Sequence, residues 1–167
     1  MSNIGQHNEA RSTNFLFSIG LDTNLTFAAQ TANVTELTLP SAPFYTGAKD
    51  IKVPSNKVEY APLIFDLIVS EDYNEWITVF KWMMQCKNNT GSPMDPVRSC
   101  RLTQLTAQNQ EGISFLYLDA WPTSIEGIQY AANDDNSTVL TTTVTLEYNK
   151  FKVVLPNGEE LDEQYTR

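Results

Sequence analysis

Leu140-Thr141-Thr142-Thr143-Val144-Thr145-Leu146-Glu147-Tyr148-Asn149 alternates without a break. Leu140, Thr142, Val144, Leu146 and Tyr148 fall on one side of an extended chain, and Thr141, Thr143, Thr145, Glu147 and Asn149 on the other. Side chains of a strand point alternately to its two faces, so this is a strand with one buried face and a wet threonine row opposite. Glu59 to Val69 reads the same way: Ala61, Leu63, Phe65, Leu67 and Val69 share one face, and Tyr60, Ile64, Asp66 and Ile68 share the other. Ile113 to Trp121 is apolar on both faces, which means that something covers each of them. Ser99 to Ala107 precedes it across the polar turn Gln108-Asn109-Gln110-Glu111-Gly112. Toward the N-terminus, Asn14 to Ile19 is a strand closed by Gly20, and Leu25 to Ala32 with Val34 to Leu39 forms a kinked strand or a pair.

One helix interrupts the strands. It is expected from Tyr73 to about Lys87, with Asp72 as its cap and Glu75 completing a capping box. Trp76, Phe80, Met83 and Met84 recur at helical spacing and predict the stripe that packs on the core. Asn88-Asn89-Thr90-Gly91-Ser92-Pro93 ends the helix. The fold class is therefore mainly β: two antiparallel sheets packed as a small barrel or sandwich, with one flanking α-helix. Residues 1–167 read as a single domain, with a polar arm over 1–13 and a C-terminal extension over 149–167 that passes through Phe151-Lys152-Val153-Val154-Leu155 and Pro156-Asn157-Gly158 to an acidic tail. Residues 40–57 have no evident periodicity and are expected to form a long loop, unusual in a small domain unless it has a task. Phe44 and Tyr45 lie in it, with Lys49, Lys52 and Lys57 against the single acid Asp50. A basic, aromatic arm on an acidic protein suggests a partner surface.

The 167 residues carry 20 acidic and 11 basic side chains, a formal net charge of −9. That balance argues against tight nucleic-acid binding, which depends on Lys and Arg neutralising phosphates, although a surface that DNA must slide past should repel it. No apolar run approaches the roughly 18 residues of a membrane span. The polar N-terminus lacks the pattern of a secretory signal, so a soluble protein made in the cytoplasm is expected. Without such a signal, the sequons at Asn24, Asn33, Asn88 and Asn136 read as by-products of an Asn- and Thr-rich surface. Cys86 and Cys100 make no disulfide framework and read as reduced thiols.

The residues needed for catalysis are missing. His7 is the one histidine and sits in the terminal arm, so no Ser-His-Asp or Cys-His arrangement has a rigid base and no histidine-built zinc or iron site is available. No glycine-rich phosphate loop occurs. Asn133-Asp134-Asp135-Asn136 clusters oxygen ligands without the spacing of a calcium loop and reads as a solvated turn. Asp66 and Asp119 are the only tempting carboxylate pair for glycoside hydrolysis, and each is better read as an in-strand acid on a half-wet face. An enzyme is not expected, and neither is a cofactor or a metal.

The order of the central elements resembles the tail tube proteins of contractile-tailed bacteriophages, relatives of the type VI secretion tube proteins. The resemblance is carried by the Tyr60 to Val69 strand running into a helix with Trp76, Phe80 and Trp82, by Ala120-Trp121-Pro122-Thr123-Ser124-Ile125, and by the closing Thr142-Val144-Leu146-Glu147-Tyr148 strand. It spans roughly Asn14 to Tyr148. It implies a structural virion protein, assembled in the host cytoplasm, whose copies form hexameric rings that stack into the tube through which DNA is ejected. The implied partners are further copies of the chain, the tail sheath, the baseplate and the tail terminator, with genomic DNA passing unbound. It further implies that residues 40–57 contact the adjacent ring through Phe44, Tyr45, Lys49, Asp50, Lys52 and Lys57. Thr141, Thr143 and Thr145 would line the lumen or form an outer polar face. A tube-initiating baseplate protein or a type VI tube ring has the same fold. A carbohydrate-binding β-sandwich module is the alternative of another class.

Overall fold

The structure, a computed structural model, describes residues 15–20, 26–27, 29–106, 108–128, 130 and 139–162. The N-terminal arm with His7, residue Asn14 and the Asn133–Asn136 cluster lie outside the described residues.

The architecture is organised by one long strand. Glu111–Ile125 (β10) pairs through Ser114 to Tyr117 with Arg98–Leu105 (β9) on one side and through Ser114 to Leu118 with Lys150–Val154 (β12) on the other. Its second half, from Trp121 to Ile125, pairs instead with Thr141–Glu147 (β11). Phe15–Ile19 (β1) lies beside β9 and carries Thr26–Phe27 (β2) on its outer side, while β12 carries Glu160–Leu161 (β13). Leu63–Ile68 (β8) lies beside β11, and Ala29–Ala32 (β3) beside β8. All these pairs are antiparallel. The result is one layer β2-β1-β9-β10-β12-β13 and a second β10-β11-β8-β3, sharing β10. Among the described residues the pairing does not close into a barrel.

The bend that lets one strand serve both layers is visible in its backbone. The register of β10 shifts between Tyr117 and Ala120, and Asp119, inside that shift, has φ 55°. A bulge adds a residue to one strand, sharpens its twist and redirects it. The two layers then face each other across a dry core. Phe17 of the first meets Phe65 of the second with ring centroids 4.3 Å apart. Leu63, Leu67, Val144, Leu146 and Tyr117 are fully buried around them, so the alternation read in 59–69 and 140–149 does put Leu63, Phe65, Leu67, Val144 and Leu146 inside.

Three expectations change. The helix, Asn74–Asn88 (α1), is not capped by Asp72: Tyr73 occupies the N-cap in the left-handed region, at φ 55°, with no side-chain cap bond. Glu75 does reach back, but to Ser70, whose backbone N–H and hydroxyl donate to its carboxylate at 3.0 and 2.7 Å. The buried stripe of the helix is Val79 and Trp82, not Trp76, Phe80, Met83 and Met84. The Trp82 indole N–H donates to the Pro96 carbonyl at 2.7 Å, and the Arg98 guanidinium lies over its ring. That satisfied indole lets the larger side chain go inside, leaving Phe80 40% exposed. Residues 150–161, expected as part of an extension beyond the last strand, are built into the first layer: β12 pairs with β10, and Phe151 belongs to the core.

The third change concerns 40–57, which is not a structureless loop. Ser41–Thr46 (β5) and Lys49–Pro54 (β6) form an antiparallel hairpin closed by Gly47-Ala48. Leu37–Thr38 (β4) and Glu59–Tyr60 (β7) pair beneath it, and the Ser55 N–H donates to the Pro40 carbonyl at 2.8 Å. At the root of this arm the Tyr148 hydroxyl donates to the Ala61 carbonyl at 3.0 Å. Thr35 is buried beside Tyr117, and its hydrogen bonding partly offsets the upward push that burial gives the Tyr117 phenol.

Candidate assembly interface

The hairpin's register decides what its side chains can do. Phe44 lies opposite Ile51, Ala42 opposite Val53 and Thr46 opposite Lys49; between them Tyr45 lies opposite Asp50 and Pro43 opposite Lys52. Directly opposed residues share a face. One face is thus Ala42, Phe44, Ile51 and Val53 with Lys49 at the tip, and the other is Pro43, Tyr45, Asp50 and Lys52. The fold puts Phe44 and Tyr45, both expected at the ring contact, on opposite faces of the hairpin. Phe44 is 56% and Tyr45 74% exposed, and among the described residues no other strand or helix packs broadly on β5 or β6. Lys57 lies beyond the hairpin, its N–H donating to the Ser55 hydroxyl. Ile51 and Val53 were not singled out in the sequence, although their spacing opposite Phe44 and Ala42 held the signal.

The threonine row occupies the outer side of the second layer. Thr141, Thr143 and Thr145 lie opposite Ile68, Asp66 and Ile64. The Asp66 carboxylate accepts from the Thr143 hydroxyl at 2.7 Å and from the Thr31 hydroxyl, tying β8 to both its neighbours. Asp66 is therefore a structural acid holding three strands of a polar face. Asp119 is the left-handed residue of the bulge. Neither is presented as half of a catalytic pair, and among the described residues no cluster of His, Cys, Asp and Glu could hold a metal.

Two further surfaces were missed in the sequence. On the outward side of α1, Trp76 and Phe80 stack with centroids 5.3 Å apart and planes within 8° of parallel, flanked by the exposed Ile77. At the helix's C-terminal end, an open cleft of about 440 Å³ lies between Cys86, Met94, Pro96 and Trp121. Burial pushes the Cys86 thiol up, with Arg98 opposing in part, and Cys100 is pushed up to about 12 by burial. Nucleophilic cysteines require the opposite shift. Both cysteines are free.

The described residues thus form a two-layer β-sandwich with one helix and an uncovered amphipathic arm. The chain belongs to the family described as T4-like virus tail tube protein gp19, which matches residues 11–152. The tail tube terminator protein of Enterobacteria phage T4 is 25% identical over 157 residues, covering 87% of this chain and 89% of that protein. Among solved structures, the sheath/tube terminator of an extracellular contractile injection system, PVC, superposes with a TM-score of 0.72 at 12% identity, over 89% of this chain and 99% of that one. The tube-terminating cap of the anti-feeding prophage gives 0.70 at 12% identity, over 92% and 96%. At such identities the structural likeness speaks for the fold alone. Membership of the family makes the chain a non-catalytic structural component of the virion, associated with the contractile tail tube.

Proposed function

We propose that the chain forms a six-fold ring that terminates the tube of a contractile phage tail and leaves a channel open for DNA. The observation that carries this reading is the end-to-end similarity to the tail tube terminator of phage T4, 25% identity over 87% of the chain. A ring of identical copies needs heterologous contacts, in which one patch meets a different patch of the next copy. The uncovered hairpin supplies one such patch. In this reading the polar face with Thr141, Thr143, Thr145 and Asp66 lines the channel. The −9 charge of each chain keeps phosphates from sticking. The hairpin and the residues just after it reach the adjoining ring, with Lys52 and Lys57 meeting acidic groups there. The tube, the sheath and the baseplate are its partners.

The family's description favours a second reading, in which the chain is itself the repeating tube ring. Polymerisation separates the two. Purified tube protein of the same tail, mixed with this chain, should stop elongating and yield short, capped tubes. Elongation unchanged by an excess of the chain overturns the terminator reading, and unlimited self-polymerisation of the chain establishes the tube reading in its place. Replacing Phe44 and Tyr45 together by Ala should abolish stacking while the subunit stays folded.

A further inference from the structure

Among the exposed apolar surfaces of the described residues, two differ in chemistry. One is the Ala42, Phe44, Ile51, Val53 face of the hairpin, with Phe44 56%, Ile51 47% and Val53 36% exposed. The other is the outward face of α1, where Phe80 is 40% and Ile77 37% exposed beside the stacked Trp76. Scattered exposed apolar residues are ordinary, but contiguous ones mark surfaces that another molecule covers. Charges that can pair stand at the edges of the two patches, although the exposed Lys81 also follows Phe80 on the helix. Lys49 stands at the tip of the Phe44 face, whereas Glu71 and Asp72 are exposed in the turn that leads into α1.

We propose that these patches are the two halves of one interface: the Phe44 face of the hairpin docks on the Trp76, Ile77, Phe80 face of α1 in a second copy of this chain, with Lys49 against Glu71 and Asp72. The inference rests on the ring-forming reading and goes beyond it by assigning the two faces of the hairpin different tasks. The aromatic and aliphatic side chains supply a desolvated centre of the kind that carries most binding energy. The Lys49 contact at the rim fixes register and speeds association. Because the patches differ, each copy donates its hairpin and accepts another's, the head-to-tail arrangement that closes a ring. The opposite face, Pro43, Tyr45, Asp50 and Lys52, then stays free for the neighbouring ring. A single amphipathic hairpin thereby serves both contacts.

The test uses the full chain in complementary pairs. Phe44→Asp spoils the hairpin face and Phe80→Asp the helix face; both side chains are well exposed, so the fold should survive, as circular dichroism would verify. Ile77→Asp on the same helix face repeats the second arm if Phe80→Asp does not fold. By light scattering, each variant alone should be monomeric at concentrations where the wild type is assembled, its association weakened at least tenfold. Mixed together, they should form a heterodimer and nothing larger, since one intact hairpin and one intact helix face make a single junction. Lys49→Glu should slow assembly, and Glu71→Lys with Asp72→Lys should restore it. Rings that persist in Phe80→Asp overturn the inference while leaving the ring reading intact; the helix face would then belong to another protein, such as a sheath subunit. Folded variants that fail to pair when mixed also overturn it. A wild type that stays monomeric overturns both.

Discussion

Asp119 offers a sharp test of how the two layers are joined. It lies where β10 leaves β9 and β12 and takes up β11, and its φ of 55° is in the region that L side chains avoid. A non-glycine residue there costs roughly 1–2 kcal/mol, least for Asp and Asn. Replacing it by Gly removes that strain but increases the entropy of the unfolded chain by about 0.5–1 kcal/mol, so the net change should lie within about 1 kcal/mol of zero. Replacing it by Val adds a β-branched side chain to the same conformation, and the loss should reach about 2–3 kcal/mol. For a chain of this size each kcal/mol moves Tm by about 2–4 °C. Urea unfolding followed by tryptophan fluorescence and circular dichroism reads both variants. A Val variant as stable as wild type, or a Gly variant destabilised by more than about 2 kcal/mol, would show that the bulge does not hold the bend.

Phe65→Ala, which empties one side of the inter-layer ring contact at 1% exposure, should cost about 3–5 kcal/mol in the same assay; a loss below about 1 kcal/mol would contradict the two-layer core. The Glu75 carboxyl is held below its ordinary value: burial alone would raise it, but the Ser70 hydrogen bonds outweigh that. A depressed carboxylate stabilises the fold above its unfolded pKa and loses that contribution as pH falls through the folded value. The stability margin of wild type over Glu75→Gln should therefore be full at pH 7 and shrink below about pH 4.5, the ordinary glutamate value; a margin that stays constant down to pH 3 would refute the contact. Cys100, fully buried with its thiol pushed up to about 12, should resist iodoacetamide until the chain unfolds, whereas Cys86 should react slowly in the native state, as peptide mass spectrometry would record.

Much of this was legible in the sequence, and for a physical reason. Where one face of a strand is buried and the other wet, as in 63–68 and 141–147, alternation is strict and register follows from it. The hairpin was illegible because both its faces are exposed in the isolated chain. Nothing in the subunit's own core selects between Phe44 and Tyr45, and Pro43 and Pro54 weaken the strand signal. Its turn, Gly47-Ala48, also lacks the Asn-Gly signature of a tight hairpin. The helix was found but rotated, since two stripes of similar spacing compete and only the partner of the Trp82 indole, the Pro96 carbonyl, decides between them. The division of the candidate residues of 40–57 between two faces required the register, which the sequence did not show. That the chain is structural, as its family is, agrees with the expectation drawn from its single histidine. The distinction between a tube protein and a terminator could not be read from the sequence, because both readings share one fold.

Electron microscopy of the purified chain alone, imaged over a range of concentrations, tests the central claim most directly. Closed rings with six-fold symmetry that do not lengthen as concentration rises are the predicted result. Isolated monomers at every concentration, or filaments that grow without limit, would contradict it.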